Sequence, residues 1–322
     1  MTVFPGARSV FAGIVLLSKI GLCHGGVTLD ALGAYLSKNG YGGAQLAHPG
    51  NFYYLPIESN GKPGNLLIDT GAPTTLIFRW SLKGLNLIES KTKSPVSGAF
   101  GQSREFYGLT TIRALGAGNC MLVNVPVAVA PGSTRSTFSR ANSNGLLGLR
   151  EMIKFGAVLD LRNRLIYLRP SRPSGEMGHE INSILLRQGY TPVPLSISDF
   201  HIRIPGAVNE TPCYFLVDTG AYLTGLDLDF VRRAKIQVEP TPFVAEGLGG
   251  SSLIGMGIIA SLRIGNYEIR RASTSIVHFA SKAVSRGTRS EVAGLIGVEY
   301  LGLSSAIFDF TTGTMYLRPG SR

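Results

Sequence analysis

Apolar residues in this chain come mostly in short runs, broken by clusters of Gly, Pro, Asn and Ser. Runs of that length between turn-forming clusters predict many short strands. Two stretches follow a different period. Leu29, Leu32, Tyr35 and Leu36 recur at helical spacing before Gly40, and Ile181, Ile184 and Leu185 do so before Gly189. Each predicts a short amphipathic helix. Extended segments are expected near 52–57 and 197–204, with turns at Asn60-Gly61 and Pro205-Gly206. Further strands are expected near 109–115, 125–130, 258–264 and 275–279. Two apolar runs end in glycine, at Leu146-Leu147-Gly148 and Leu295-Ile296-Gly297, and a short helix is expected after each. Terminal hairpins are expected at 158–161 with 165–168, and at 307–310 with 315–317.

The pattern is written twice. Asn65-Leu66-Leu67-Ile68 leads into Asp69-Thr70-Gly71-Ala72, and Tyr214-Phe215-Leu216-Val217 leads into Asp218-Thr219-Gly220-Ala221. The offset, from 69 to 218, is 149 residues, and other landmarks keep it. Gly40-Tyr41 matches Gly189-Tyr190, Thr75 matches Thr224, and Gly98 and Gly101 match Gly247 and Gly250. Asp160 matches Asp309, and Tyr167-Leu168-Arg169-Pro170 matches Tyr316-Leu317-Arg318-Pro319. One register held over so many positions marks a tandem duplication with a domain-sized period. The expected division is a leader at 1–26, a first domain at 27–170, a Pro-, Ser- and Gly-rich join at 171–177 and a second domain at 178–322.

A carboxylate at the end of an apolar strand is costly to bury alone. Two equivalent copies point to a pair in which each Asp is the other's partner. Paired carboxyls sharing a proton place an acid and a base at one point.

Composition narrows the classes. At 322 residues and 44% hydrophobic content, the chain can bury two cores. A net charge of +11 permits an anionic partner, but the basic residues are spread over both halves. No aromatic-interleaved basic run, zinc-ligand spacing or phosphate loop accompanies them, which argues against nucleic acid. At the N-terminus Arg8 precedes an apolar run from Val10 to Leu17, with small residues near 23–26. That order resembles a secretory signal peptide, so export to the periplasm or the exterior is expected. Lys19 leaves the run too short to span a membrane stably. Cys120 and Cys213 are not equivalent under the repeat. They could form one disulfide or remain two buried thiols, and two cysteines do not make a disulfide framework.

The ordered set of apolar strand, Asp-Thr-Gly-Ala, a Thr six residues after the Asp, a glycine-rich hairpin, an apolar-apolar-Gly run and a short helix resembles the retropepsin-like aspartic proteases. The leading helix with Gly189-Tyr190 and Pro194-Leu195 resembles the bacterial, exported branch of that family. The resemblance covers nearly all of 29–319, in two copies. It implies a mainly β fold of two closed-barrel domains in tandem with pseudo-two-fold symmetry, each with short helices. It also implies an aspartic endopeptidase with an intramolecular catalytic dyad, Asp69 and Asp218. Thr70 and Thr219 would bond across the axis, Gly71 and Gly220 would permit the turns, and Ala72 and Ala221 match the retroviral pattern. With no hydroxyl at those alanines, the carboxylates lack one donor, so a mildly acidic optimum is expected. Gly98, Phe100 and Gly101, with Gly247, Leu248 and Gly250, would form flaps over an extended peptide. The implied partner is a peptide or protein substrate. No metal or cofactor is implied, and a monomer suffices because one chain carries both half-sites.

Other repeated or prominent residues have plainer readings. Asp160 and Asp309 precede turns and are expected to cap them. Thr75 and Thr224 should brace the loops, and Trp80 should pack. The five His residues do not repeat and receive no role. Leu76 becomes Gly225 in the second copy, so that half is expected to pack its loop differently. The rival class is a catalytically silent protease fold used as a peptide-binding or envelope scaffold. Loss of one Asp would have favoured it, and both are present.

Overall fold

The computed structural model describes residues 29–90, 93–98, 101–130, 143–170, 177–198, 201–247, 250–278 and 292–318. The expected leader, Phe100, Leu248 and all of the expected join except its last residue lie outside them. In the first half the order is α1 (Leu29–Lys38), β1 (Gly42–Gln45), β2 (Tyr54–Ser59), β3 (Lys62–Ile68), β4 (Leu76–Phe78), β5 (Lys93–Gly98) and β6 (Gly101–Ala117). Then come β7 (Cys120–Ala130), β8 (Gly145–Leu147), α2 (Leu149–Lys154), β9 (Val158–Asp160) and β10 (Leu165–Leu168). The second half runs α3 (Met177–Arg187), β11 (Thr191–Pro194), β12 (Ser196–Ser198), β13 (His201–Val208), β14 (Thr211–Val217), β15 (Gly225–Asp227) and α4 (Leu228–Arg233). It continues with β16 (Glu239–Gly247), β17 (Gly250–Ile264), β18 (Tyr267–Val277), β19 (Val292–Ile296), α5 (Val298–Leu303), β20 (Ile307–Asp309) and β21 (Thr314–Leu317).

Each half closes into a barrel. The ring β2-β3-β8-β4-β7-β6 shuts where Glu58 and Ser59 of β2 meet Gly116 and Leu115 of β6. The ring β13-β14-β19-β15-β18-β17 shuts where Gly206, Ala207 and Val208 meet Ile264, Arg263 and Leu262. Closure removes the unpaired edges that an open sheet would leave. The outer strands β5 and β16 extend the rings as hairpins, with Gly98 opposite Gly101 and Gly247 opposite Gly250 at the tips. One core of buried apolar side chains runs through both halves, from Leu55, Ile77 and Ile112 to Ile204, Phe215 and Ile259.

One expected turn is misplaced. Pro205 and Gly206 lie inside β13, and the chain reverses at Asn209 and Glu210, both with positive φ (46° and 67°). Asn209 is the repeat's counterpart of Asn60, which turns in the first half. Gly206 serves a different purpose. A Cβ there would lie 2.6 Å from the Arg263 carbonyl oxygen and 2.7 Å from the Phe215 ring, so it is glycine because the barrel closes against it.

The halves are joined by a third sheet that the linear pattern does not announce. Its order is β1-β10-β9-β20-β21-β11, three strands from each half. At its centre β9 pairs antiparallel with β20, Asp160 opposite Ile307 and Val158 opposite Asp309. Helices α1 and α3 are amphipathic as expected and end at Gly40 and Gly189, whose φ values are 81° and 80°. Leu32 and Leu36 of α1 and Ile181, Ile184 and Leu185 of α3 are buried with Val158, Ile307, Tyr167 and Tyr316 of that sheet. The Tyr41 hydroxyl adds a cross-half bond to Thr311 at 3.0 Å. Asp160 and Asp309 cap their turns, accepting from the Asn163 amide (2.9 Å) and the Thr311 amide (2.8 Å).

Because the central sheet belongs equally to both halves, they are expected to unfold together. Leu36→Ala, which opens space in the joint cluster, should lower stability by about 2–5 kcal/mol. Urea unfolding followed by Trp80 fluorescence and by far-UV circular dichroism checks this. Trp80 is the chain's one tryptophan and sits in the first half. The two curves should coincide in both proteins, and separated midpoints would contradict the joint unit.

Candidate active site

The two Asp-Thr-Gly-Ala turns meet at the junction of the barrels. Each begins where a central strand ends: the Asp69 amide donates to the Leu147 carbonyl (3.1 Å) and the Asp218 amide to the Ile296 carbonyl (3.0 Å). β3 and β14 each lie parallel to the apolar-apolar-Gly strand, β8 or β19, which sets the height at which each Asp emerges.

Thr70 and Thr219 cross over. The Thr70 amide donates to Thr219 Oγ1, and the Thr219 amide donates to Thr70 Oγ1, both at 3.0 Å. The Thr70 hydroxyl donates to the Val217 carbonyl (3.0 Å) and the Thr219 hydroxyl to the Ile68 carbonyl (2.8 Å). Each hydroxyl thus accepts from one residue of the opposite loop and donates to another, and both threonines are fully buried.

The carboxyls are brought together by this crossing. The Asp69 and Asp218 carboxyls face each other across the crossing, close enough to interact directly. Asp69 Oδ1 also accepts from the Gly71 amide (2.9 Å) and the Ala72 amide (3.0 Å), and Asp218 Oδ1 from the Gly220 amide (2.8 Å). A Cβ on Gly71 would lie 2.5 Å from Asp218 Cγ, and one on Gly220 would lie 2.5 Å from Asp69 Cγ. Neither glycine has positive φ. They are required by the approach of the opposite carboxyl more than by the shape of the turn.

Burial holds both carboxyls above the ordinary carboxylate range, and for Asp69 the neighbouring Asp218 pushes in the same direction. Amide donors pull the other way without cancelling the effect. Such a pair retains one proton where isolated carboxyls would be ionised. It can therefore offer a hydrogen-bond donor and a proton acceptor a few ångströms apart. Among the described residues no group of three His, Cys, Asp or Glu side chains converges as metal ligands would.

The surrounding residues divide between support and asymmetry. Thr75 Oγ1 accepts from the Gly148 amide (3.1 Å) and Thr224 Oγ1 from the Gly297 amide (3.2 Å), so both brace their loops. Trp80 packs face to face on Phe78 with ring centroids 4.5 Å apart. Cys120 and Cys213 are free and buried, and burial pushes the Cys213 thiol up to about 12. The halves do pack their loops differently. Leu76 is buried with Ala72, Phe78 and Tyr107, whereas Gly225 puts no side chain in that layer. Asp227 stands where the first half has Phe78, and its Oδ1 accepts the Asp229 amide (3.0 Å), capping α4. An Asp directly before an apolar helical run was the available signal for that cap. Glu151, buried behind the first loop, had no such signal. Gly98 pairs with Gly101 and Gly247 with Gly250 at the ends of the antiparallel strand pairs, where the glycine-rich stretches were expected.

Replacing Thr70 or Thr219 by Val should leave a buried amide without its acceptor, at a cost of about 1–3 kcal/mol. The double variant should cost less than the sum of the singles, because the two threonines share one network; additive losses in urea titrations would oppose this. A second expectation concerns pH. Asp69 and Asp218 are raised in the folded state, so the folded chain holds protons that the unfolded chain releases. Their stabilising contribution is full below about pH 4 and fades as pH rises through the raised values. Asp218→Asn removes the mutual repulsion, so its melting temperature minus that of the wild type should grow from about pH 4 to pH 8. Asp160 and Asp309, also raised by burial, are present in both proteins and cancel. A difference independent of pH would refute the assignment.

Comparison with known proteins places both barrels in one family. The family model described as aspartyl protease matches twice, over residues 55–150 and 204–300, one match in each barrel. No curated protein matches the chain. With both copies of the family domain present in register, the chain belongs to the retropepsin-like aspartyl protease family in a tandem-duplicated form.

Proposed function

We propose that this protein is an aspartic endopeptidase in which Asp69 and Asp218 form a single catalytic dyad. The observation that carries the reading is the facing pair of half-buried carboxyls, both held above the ordinary carboxylate range, at the crossing of Thr70 and Thr219. The ionised member of such a pair takes a proton from a water lying between the carboxyls and the scissile carbonyl carbon. The protonated member gives its proton to the carbonyl oxygen as that oxygen gains charge. Water oxygen bonds to carbon, the carbonyl π bond opens, and a tetrahedral diol forms. Its collapse breaks the C–N bond as the leaving nitrogen receives a proton from the dyad.

In this reading the hairpin tips at Gly98–Gly101 and Gly247–Gly250 close over an extended peptide and exclude bulk water. Ala72 and Ala221 put no hydroxyl beside the carboxylates, so the dyad should favour a mildly acidic optimum. One chain supplies both aspartates, so a monomer is sufficient. The N-terminal Arg8 and the apolar run after it support export, with the mature enzyme in the periplasm or outside the cell. Among the described residues no helix is long and apolar enough to cross a membrane.

The test is cleavage of a mixed peptide library by the chain without residues 1–26, read by mass spectrometry between about pH 3 and pH 7. Asp69→Asn and Asp218→Asn should each lower kcat by on the order of 10³-fold or more. The wild-type rate should follow a bell-shaped curve with its maximum well above about pH 3. A single variant with full activity would rule out a shared dyad. A folded wild type that cleaves nothing would return the chain to the scaffold reading.

A further inference from the structure

Glu151 is a carboxylate where an apolar or aromatic side chain would be expected. It lies in the first turn of α2, two residues from Leu149 and next to Met152, and is only 1% exposed. The equivalent position on α5 is Tyr300, 2% exposed, whose ring packs edge-on against Tyr267 with centroids 5.3 Å apart. Both helices open on the same scaffold. The Leu149 amide donates to the Ala72 carbonyl and the Val298 amide to the Ala221 carbonyl, each at 2.9 Å. The next amides, of Arg150 and Glu299, donate to the Pro73 and Tyr222 carbonyls. At the third helical residue the halves part. Glu151 Oε2 accepts the Thr75 amide at 2.6 Å and the Thr74 hydroxyl at 3.4 Å. A tyrosine hydroxyl occupies no comparable place, since the Tyr300 hydroxyl is buried without a hydrogen-bond partner among the described residues.

The carboxylate is costly to keep there. Glu151 Oε1 is buried and finds no partner among the described residues, a cost that an apolar side chain at this position would not carry. Its one short bond, from the Thr75 amide, ties the far end of the segment that begins at Asp69. Thr75 is fully buried, whereas its counterpart Thr224 is half-buried. Between the two anchors, Asp69 Oδ1 with its two amide donors and Thr75 with Glu151, the loop has no free end.

We propose that Glu151 is a positioning residue for Asp69, acting through the Thr74–Thr75 backbone, so that the two aspartates of the dyad are held by unlike devices. The proposal rests on the dyad reading above. Asp69 sits on a loop locked at both ends. Among the described residues, the helix behind the Asp218 loop offers it backbone donors alone. The pseudo-symmetric dyad is therefore mechanically unequal, and displacing the Asp69 loop should disturb the reaction more than it disturbs peptide binding.

Steady-state kinetics on the library's best peptide test it. Glu151→Met fills the site with an apolar chain and removes the acceptor. Its kcat should fall about tenfold or more, with KM changed by less than about threefold. Glu151→Gln keeps an acceptor oxygen toward Thr75 and should recover most of kcat. Tyr300→Phe, the change at the equivalent position, should leave kcat unaltered. If Glu151→Met does not fold, Glu151→Asp withdraws the carboxylate by one methylene and should show the same loss of kcat at near-constant KM. A wild type that cleaves while Glu151→Met or Glu151→Asp cleaves equally well would overturn this proposal alone. So would losses in kcat that Glu151→Gln fails to recover. A folded wild type without activity would overturn the dyad reading, and this proposal with it.

Discussion

Two carboxylic acids that face each other, half withdrawn from water, repel unless they share a proton, and the surrounding structure is organised around that constraint. Thr70 and Thr219 meet it by crossing: each hydroxyl accepts an amide from the other loop and donates to a carbonyl at the base of the opposite strand. Four hydrogen bonds between fully buried partners leave little freedom for the loops to slide apart. The glycines that follow are bound by the same crossing, since any side chain on Gly71 or Gly220 would occupy the opposite carboxyl.

The crossing could not hold two barrels by itself. The six-stranded sheet at the chain's far landmarks supplies the rest, with β9 against β20 at its centre and α1 and α3 covering one face. The repeats thus touch in two ways. Polar bonds between backbone and hydroxyl set the carboxyl distance, and apolar burial against a shared sheet sets the orientation of the halves. Symmetry governs both. In the layer around the loops it is broken where Gly225, Asp227 and Tyr300 replace Leu76, Phe78 and Glu151.

Much of this was legible before any coordinates. The elements around Asp69 and Asp218 follow from apolar run length and glycine placement, and the constant offset made the halves equivalent. Gly206 shows where such reading fails. A Pro-Gly pair looks like a turn when only local conformation is weighed, yet this glycine is bound by the approach of Arg263 from a strand nearly sixty residues later, while Asn209 makes the turn. The third sheet was missed for a related reason. Each of its strands is only three or four residues long, and its partners across the middle come from different halves. Glu151 was missed because a charged residue in a short helix reads as solvent-facing until its burial is known.

By itself the sequence determined that the chain is a duplicated, mainly β protein, and that two equivalent aspartates follow buried strands. Those properties depend on periodicity, run length and register, which are local or repeat along the chain. Tertiary structure alone decided that the two carboxyls face each other, that each glycine faces the opposite aspartate, and that a glutamate anchors only one of the loops. These depend on contacts between residues about 75 or 150 positions apart. No local pattern encodes such distances, because they are set by how two closed barrels pack and not by the conformation of either segment.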